Sequence, residues 1–117
     1  MADIEQWQQE IGEWADRTFP THRRPDGRGN LSGPVWHLAD PVKGEVHELL
    51  AAFQAGRPLS EEVADIVILC LTIAHLAEFS LEEAIKAKMA RNQRRHWGVP
   101  DEHGVYVHID KSTQEVG

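Results

Sequence analysis

Apolar residues near the start of the chain recur at intervals of three and four positions, which is the spacing of one helix face. This apolar stripe consists of Ile4, Trp7, Ile11 and Trp14. Asp3 precedes the stripe and is a suitable N-cap, because an aspartate there can accept a hydrogen bond from the first helical turn. The pattern predicts a helix over residues 3 to about 17 that buries its apolar stripe.

Residues 18–33 interrupt the helical pattern. The segment "TFPTHRRPDGRGNLSG" is rich in proline, glycine and arginine, a composition that favours turns over regular structure. We expect a loop here, and among the predicted segments it is the best candidate for a hinge or a lid.

A second apolar stretch, residues 34–55, has helical spacing with a break inside it. Pro41 cannot donate a backbone hydrogen bond, and Asp40 is placed to cap a restarted helix, which we expect to end at Gly56. The core-facing side of the restarted helix is predicted to consist of Val42, Val46, Leu49, Leu50 and Phe53.

A third helix is predicted over residues 61–78, with Ser60 as its N-cap. It is apolar on nearly every side, which is typical of a central buried element. Four short helices give such an element limited cover. We therefore expect at least a homodimer, in which a second copy covers the remaining apolar surface.

A fourth helix is predicted after Ser80, from the segment "LEEAIKAKMARNQRRHW". It has glutamates in its first turn and arginines near its end, the arrangement that the helix dipole favours. From Gly98 onward, the alternating stretch "GVYVHI" predicts a short strand or an extended arm, followed by a polar, disordered end. The predicted fold is a single all-α domain over residues 1–117, with a short extended C-terminal arm.

Composition restricts the class of protein. The net charge of −7 argues against a binder of polymeric nucleic acid. Cys70 is the single cysteine and lies in an apolar helical run, so we expect it to pack rather than to react. A secretion-signal pattern and an apolar run of membrane-spanning length are both absent from the sequence. These features predict a cytoplasmic protein without a membrane partner.

Four carboxylates are the chemically distinctive feature. Glu45 and Glu48 are three residues apart on one predicted helix, and Glu62 and Asp65 are three apart on the next, so each pair shares a helix face. If these helices pack as an antiparallel pair, the two acidic pairs can meet. Converging carboxylates repel one another unless a cation lies among them, and an all-oxygen ligand set suits Mg²⁺ or Mn²⁺. Asp65 precedes a long apolar run, where we expect an ionised side chain to be buried and compensated.

Simpler interpretations exist for the same residues. Glutamates three apart on a helix are common and usually face solvent. A buried salt bridge from Asp65 to Arg91 or Lys88 is the structural alternative to a metal. The combination of two acidic pairs on consecutive helices favours the metal site.

Three residues on the predicted fourth helix share a face and can bind phosphate. Lys88, Asn92 and Arg95 lie at intervals of four and three. Alone they are typical of a solvated basic stripe. Beside a metal-loaded acidic cluster, the lysine, the amide and the guanidinium are suitable contacts for a polyphosphate.

Together, "GEVHELL", "SEEVADIVILCL" and "LEEAIKAKMARNQRRHW" resemble the ExxE, ExxD and Lys-Asn-Arg motifs of the MazG-like all-α nucleoside triphosphate pyrophosphohydrolases. The resemblance covers residues 36–97, about half of the chain, and the dATP/dGTP-type branch looks closest. The chain departs from the family pattern at Pro41 and Gly44, where the family more usually has an unbroken helix. The family also has a lysine directly beside the first glutamate of the ExxE motif, whereas the nearest lysine to Glu45 in this chain is Lys43.

The resemblance implies a MazG-like four-helix bundle, with a helical core over about residues 34–97 and an arm over 98–117. It implies Mg²⁺-dependent cleavage, with Mn²⁺ as an alternative, of a nucleoside triphosphate between the α- and β-phosphates. Dimers or tetramers with sites at subunit interfaces are also implied. The implied metal ligands are Glu45, Glu48, Glu62 and Asp65, with Glu45 or Glu48 orienting the attacking water, and the implied phosphate contacts are Lys88, Asn92 and Arg95.

The base of the nucleotide needs a separate platform. Trp36 and His37 lie ahead of the acidic helix and are the candidates, although a core role for Trp36 and a capping or surface role for His37 stay open. His75 and Trp97 are predicted to be structural. The alternative functions are a pyrophosphatase specific for dUTP, dCTP or phosphoribosyl-ATP and, from a different class, a non-catalytic helical dimerisation module.

Overall fold

The computed structural model describes residues 3–109, and most of these are helical. The helices are α1 (Ile4–Thr18), α2 (Ser32–Ala39), α3 (Glu45–Gln54), α4 (Ser60–Ala77) and α5 (Leu81–Arg94), and a short 3₁₀ turn, Pro20–His22, follows α1. Two short strands, β1 (His96–Trp97) and β2 (His108–Ile109), pair antiparallel. The predicted all-α fold is confirmed.

Two compact units divide the chain, one up to Glu82 and the other from Glu83. The first contains α1 to α4, and the second contains most of α5 with the β1–β2 pair. A single domain over residues 1–117 stays a prediction. Within residues 3–109 no single helix is long and apolar enough to cross a membrane. The consecutive helices α4 and α5 reach the length and apolar composition of a membrane span only when they are taken together.

Helix α4 is the centre of the first unit and packs against α1, α2 and α3. Its second half supplies the core residues Leu69, Leu71, Thr72, Ala74 and Leu76. Ala15 of α1 and Ala52 of α3 are fully covered, and their small side chains let these helices approach closely. The prediction of a central apolar helix is confirmed for this half of α4.

The first half of α4 is not covered in the same way. Val63 is 45% exposed and Val67 is 42% exposed. One chain therefore leaves part of this apolar helix exposed, as expected from the limited cover that four short helices give. The predicted N-cap, Ser60, is wrong, because Leu59 is the N-cap residue and makes no side-chain capping bond.

Helix α3 is rotated relative to the prediction. Its buried residue is Ala52, whereas Val46, Leu50 and Phe53 are 50%, 52% and 68% exposed. Val42 precedes the helix and is 77% exposed. The predicted core-facing side is wrong for these four residues, because the small Ala52 gives α3 its closest approach to the bundle.

The predicted break at Pro41 is confirmed, and its geometry orients the start of α3. Asp40 Oδ1 accepts hydrogen bonds from the backbone N–H of Val42 (2.9 Å) and of Lys43 (3.3 Å), and these bonds contribute to a lowered pKa of Asp40. Asp40 thus caps the connecting turn, while Gly44 is the N-cap of α3. A Cβ on Gly44 would lie 2.6 Å from the Asp40 nitrogen, so this close turn requires glycine.

Gly56 ends α3 as predicted. It has a φ of 69°, in the left-handed region where glycine is unstrained. Its N–H donates to the Phe53 carbonyl, and the N–H of Arg57 donates to the Ala52 carbonyl, which is the Schellman pattern.

The N-terminal helix is capped as predicted but buries a different face. Asp3 Oδ1 accepts a hydrogen bond from the Gln6 N–H at 2.8 Å. Its buried residues are Gly12 and Ala15, while Trp7 of the predicted stripe is 49% exposed. A Cβ on Gly12 would lie 2.3 Å from the His75 ring, which shows how closely α1 approaches α4.

Residues 22–30 form a small hairpin inside the segment predicted to be a loop. Asn30 N–H donates to the His22 carbonyl, and Arg23 pairs with Gly29 in an isolated bridge. Arg23 also donates to both carboxylate oxygens of Asp16, at 3.0 and 3.2 Å, and so ties the hairpin to α1. This part of the predicted loop is therefore ordered, and its role as a lid stays a prediction.

The end of the chain differs in detail from the prediction. Helix α5 ends at Arg94 rather than at Trp97, because His96 and Trp97 form β1. Of the alternating stretch "GVYVHI", only His108 and Ile109 pair as a strand. The predicted disordered end, from residue 110 onward, lies outside the described residues.

Candidate active site

Glu45 and Asp65 line the same cavity. The cavity has a volume of about 300 Å³ and lies within the first unit. Glu45 is the first residue of α3 and Asp65 lies in the first half of α4, so the fold joins one member of each acidic motif. The predicted meeting of the two motifs is supported for this pair.

Glu45 has a defined partner. Its side chain is 19% exposed, and its Oε1 lies 3.1 Å from Nε2 of His37, near the end of α2. The sharp turn at residues 40–44 brings these two helix ends together. His37, predicted as a base contact or a surface residue, therefore contacts a predicted metal ligand.

The other three predicted carboxylates differ in exposure. Asp65 and Glu48 are exposed, and Glu62 is half-buried in the first turn of α4. The expectation of a buried Asp65 is wrong, because the chain leaves this side chain open to solvent at the cavity wall. The alternative of a salt bridge from Asp65 to Arg91 or Lys88 stays a prediction, because these two residues belong to the second unit.

The full four-carboxylate ligand set stays a prediction. Within residues 3–109, no group of three or more histidine, cysteine, aspartate or glutamate side chains is close enough to hold a metal ion as it stands. Carboxylates that converge without a cation repel one another, and hard oxygen donors are the ligands that Mg²⁺ and Mn²⁺ prefer. The chemistry of the donor set fits such an ion, and two of its four members, Glu45 and Asp65, line one cavity.

The predicted phosphate contacts belong to the second unit. Asn92 Oδ1 accepts a hydrogen bond from Arg95 Nη1 at 3.2 Å, so these two residues do lie together. The Trp97 indole N–H donates to the Asn92 carbonyl at 3.3 Å, consistent with its predicted structural role. Lys88 is exposed on α5. The phosphate-binding role of the three residues stays a prediction.

Of the two residues predicted to contact the base, Trp36 and His37, only His37 lines the cavity. Trp36 is 61% exposed, so its interpretation as a core residue is wrong. His37 lines the cavity with Glu45 and Asp65, whereas Trp36 is absent from the cavity wall.

Three aromatic cavity residues were not predicted as site residues. The Phe19 ring lies 5.4 Å from the Trp14 ring and 4.9 Å from the His22 ring, centroid to centroid. All three line the cavity. The available signal was the aromatic and the histidine in "TFPTH", within a segment otherwise typical of a polar loop.

A network on the other side of His22 holds α1, the hairpin and α4 together. His75 Nε2 lies 2.8 Å from Asp16 Oδ2, beside the Arg23–Asp16 ion pair. Burial raises the pKa of Asp16, but hydrogen bonds and positive charge from Arg23 and His75 outweigh it and leave that pKa below its ordinary value. The structural role predicted for His75 agrees with these contacts. Cys70 is half-buried, and burial raises the pKa of its thiol, which agrees with packing.

The family model of the MazG nucleotide pyrophosphohydrolase domain matches residues 37–99, just over half of the chain. This chain belongs to the MazG nucleotide pyrophosphohydrolase family. A relative from Cyanophage S-2L, a dATP/dGTP diphosphohydrolase, is 37% identical over 111 residues, which are 95% of this chain and 92% of the relative. A dATP/dGTP diphosphohydrolase of Salmonella phage PMBT28 is 38% identical over 111 residues, 93% of this chain but 31% of that longer protein.

A solved structure is also similar to this MazG chain. The Cyanophage S-2L MazG-like pyrophosphohydrolase, bound to dGDP and three catalytic Mn²⁺ ions per active site, superimposes with a TM-score of 0.70. It is 33% identical, and the match covers 96% of this chain and 97% of that one. The chain is therefore a MazG-type nucleotide pyrophosphohydrolase, a hydrolase that acts on acid anhydrides. The alternative of a non-catalytic helical module is wrong.

Proposed function

We propose that this MazG enzyme hydrolyses dATP and dGTP between the α- and β-phosphates, giving the deoxynucleoside monophosphate and pyrophosphate. One observation supports this most directly: Glu45 and Asp65, one from each acidic motif, line a single cavity. The two phage relatives named above are dATP/dGTP diphosphohydrolases.

Glu45, Glu48, Glu62 and Asp65 would hold the divalent cation, Mg²⁺ or Mn²⁺. A cation held there would neutralise part of the phosphate charge and lower the pKa of a bound water. Glu45 enters this role already oriented by His37.

The remaining chemistry belongs to the side chains. Glu45 or Glu48 orients a water and accepts one of its protons as the water oxygen forms a bond to the α-phosphorus. The bond from that phosphorus to the bridging oxygen breaks, and the electron pair leaves with pyrophosphate. Lys88, Asn92 and Arg95 would bind the leaving group, because ammonium and guanidinium groups stabilise phosphate charge.

We also propose that the enzyme is a homo-oligomer, a dimer or a tetramer. Large apolar side chains on α1, α3 and α4 are about half exposed in one chain, including Trp7, Leu50 and Val63. Among them, Trp7 and Val63 line one apolar groove, and exposed apolar patches are typical of subunit interfaces.

The test is a substrate panel with Mg²⁺ or Mn²⁺, in which pyrophosphate and phosphate release are measured separately. We expect dATP and dGTP to release pyrophosphate, and chelation by EDTA to abolish release until metal is restored. Asp65→Asn should lower kcat/KM by about 100-fold or more, because metal ligands matter at least as much as the residues that support them. Asp26→Asn, an exposed carboxylate of the hairpin, is the matched control.

Other outcomes would contradict the proposal. Release of phosphate instead of pyrophosphate from a triphosphate would mean that the enzyme cleaves the bond between the β- and γ-phosphates. Preference for dUTP, dCTP or phosphoribosyl-ATP would favour those alternatives.

A further inference from the structure

Away from Glu45 and Asp65, the wall of the cavity suits a neutral aromatic ring better than a polyphosphate. This part consists of the rings of Trp14, Phe19, His22 and His37 together with apolar and small residues. Among residues 3–109, no lysine or arginine lines the cavity. Aromatic and aliphatic walls with a few polar groups are typical of pockets for planar ligands, whereas phosphates need cationic partners.

His22 has a buried nitrogen without a partner. Its Nδ1 is enclosed and has no hydrogen bond within the described chain. A buried N–H without an acceptor is less tolerated than a buried lone pair without a donor. We therefore assign the lone pair to Nδ1 and the proton to Nε2.

The protonated nitrogen lies at the cavity wall. A Cβ placed on Gly33, which also lines the cavity, would be 3.6 Å from His22 Nε2. Burial lowers the pKa of His22 below its ordinary value of 6.5, with Asp16 opposing and His37 adding to the shift. At neutral pH the ring is therefore a neutral donor through Nε2.

We propose that this cavity binds the purine base of the substrate and that His22 Nε2–H donates a hydrogen bond to purine N7. The inference rests on the proposed function, because the carboxylates on the same wall place the phosphates one sugar away from the base. His22 is then a specificity-determining residue, while Trp14 and Phe19 supply the apolar and aromatic surface around the ring.

The choice of N7 follows from the shapes of the four bases. Adenine and guanine both have an acceptor at N7, whereas they carry an amino donor and a carbonyl acceptor, respectively, at C6. The acceptor near the sugar, purine N3, has an equivalent in pyrimidine O2. A single hydrogen-bond donor that is to bind both purines and to discriminate against pyrimidines must therefore contact N7.

The first experiment needs no variant. Rates of hydrolysis by the full-length enzyme are compared for dATP and dGTP and for their 7-deaza analogues, in which N7 is replaced by a C–H group. Loss of one neutral hydrogen bond should lower kcat/KM by about two- to tenfold for both analogues. The leaving group and the phosphates are identical, so the difference reports on the base alone.

Two variants locate the donor. His22→Phe keeps a ring but removes the N–H. Its kcat/KM for dATP and dGTP should therefore fall by the same two- to tenfold factor, and replacing these substrates by their 7-deaza analogues should lower kcat/KM no further. His22→Gln places an amide N–H at a similar distance from the backbone and should regain part of the sensitivity to N7. His103→Phe, at a side chain that is 80% exposed, is the matched control.

The outcomes separate this inference from the proposed function. Hydrolysis of dATP and dGTP with equal rates for the 7-deaza analogues would overturn the His22 assignment and leave the proposed function intact. Absence of hydrolysis for every nucleotide would overturn the proposed function itself. A 7-deaza effect that persists unchanged in His22→Phe would assign the N7 contact to another residue.

Discussion

Two histidines, His22 and His37, line the same cavity but have different partners. His37 Nε2 contacts the Glu45 carboxylate, whereas His22 has aromatic neighbours and an unpaired Nδ1. Their roles therefore differ: His37 orients a predicted metal ligand, and His22 is placed against the base. Residue type alone did not separate them, because both are histidines, although His37 lies in α2 and His22 ends the 3₁₀ turn.

His37 is expected to act on metal affinity. Removing its N–H in His37→Phe should raise the Mg²⁺ concentration for half-maximal activity by about tenfold or more, because residues that support metal ligands typically contribute this much. The rate at saturating Mg²⁺ should change less. His37→Gln retains an N–H donor. In a metal titration of activity, its half-maximal Mg²⁺ concentration should lie between those of His37→Phe and the wild type.

The same titration on His103→Phe is the control. Unchanged half-maximal Mg²⁺ in His37→Phe would mean that Glu45 does not depend on this contact.

At the scale of elements, helix type and helix rotation were predictable to different degrees. The three-to-four spacing and the residues Asp3, Pro41 and Gly56 correctly indicated where α1, α2 and α3 begin or end. The rotation of α3 was wrong, because Ala52 rather than Leu50 or Phe53 faces the core. Periodicity identifies the apolar side of a helix, but it does not say whether the same chain covers that side.

The Asp16–Arg23–His75 network joins three elements, and its contribution to stability should depend on pH. The pKa of Asp16 is lowered in the folded state from its ordinary value of 3.8. The stabilisation is therefore fully present above pH 3.8 and is lost as pH falls through the lower, folded value. We expect Asp16→Asn to reduce the free energy of unfolding by about 1–2 kcal/mol near neutral pH.

Urea unfolding of wild type and Asp16→Asn at a series of pH values tests this expectation. The difference between the two proteins should shrink as the pH falls below about 4. Comparing the two proteins at each pH cancels the contribution of groups that do not interact with Asp16. A difference that grows on acidification would contradict the assigned direction of the pKa shift.

At the scale of the whole molecule, the exposed apolar surface is the main unexplained feature of a single chain. Leu50 and Phe53 on α3 are 52% and 68% exposed, and a groove of about 790 Å³ between α1 and α4 is lined mainly by apolar residues. A second copy of the chain would remove this surface from water, as the proposed homo-oligomer requires.

Leu50→Glu should weaken self-association. A charge placed in an apolar interface loses its hydration without gaining a partner, so we expect at least a tenfold weaker association, about 1.4 kcal/mol or more. Sedimentation velocity at micromolar concentration measures this, with Gln93→Glu at an exposed position of α5 as the charge-matched control. A wild-type protein that sediments as a monomer would contradict the proposed oligomer.

The predicted site was only partly predictable from local sequence. Helical spacing puts Glu45 with Glu48 and Glu62 with Asp65, and the fold does bring Glu45 and Asp65 to one cavity. The predicted burial of Asp65 is wrong, because this side chain is exposed. An apolar run after a residue does not determine which face of the helix that residue occupies.

The amino-acid sequence by itself determined the helical class, the helix breaks and the family motifs, because spacing and capping act between residues that are close along the chain. Only the tertiary structure decided which apolar faces are covered, that His37 meets Glu45, and that Trp14, Phe19 and His22 enclose a cavity with Thr72. These features depend on contacts between distant segments, and such contacts exist only once the turn at Gly44 and the close approach at Gly12 have set the positions of the helices.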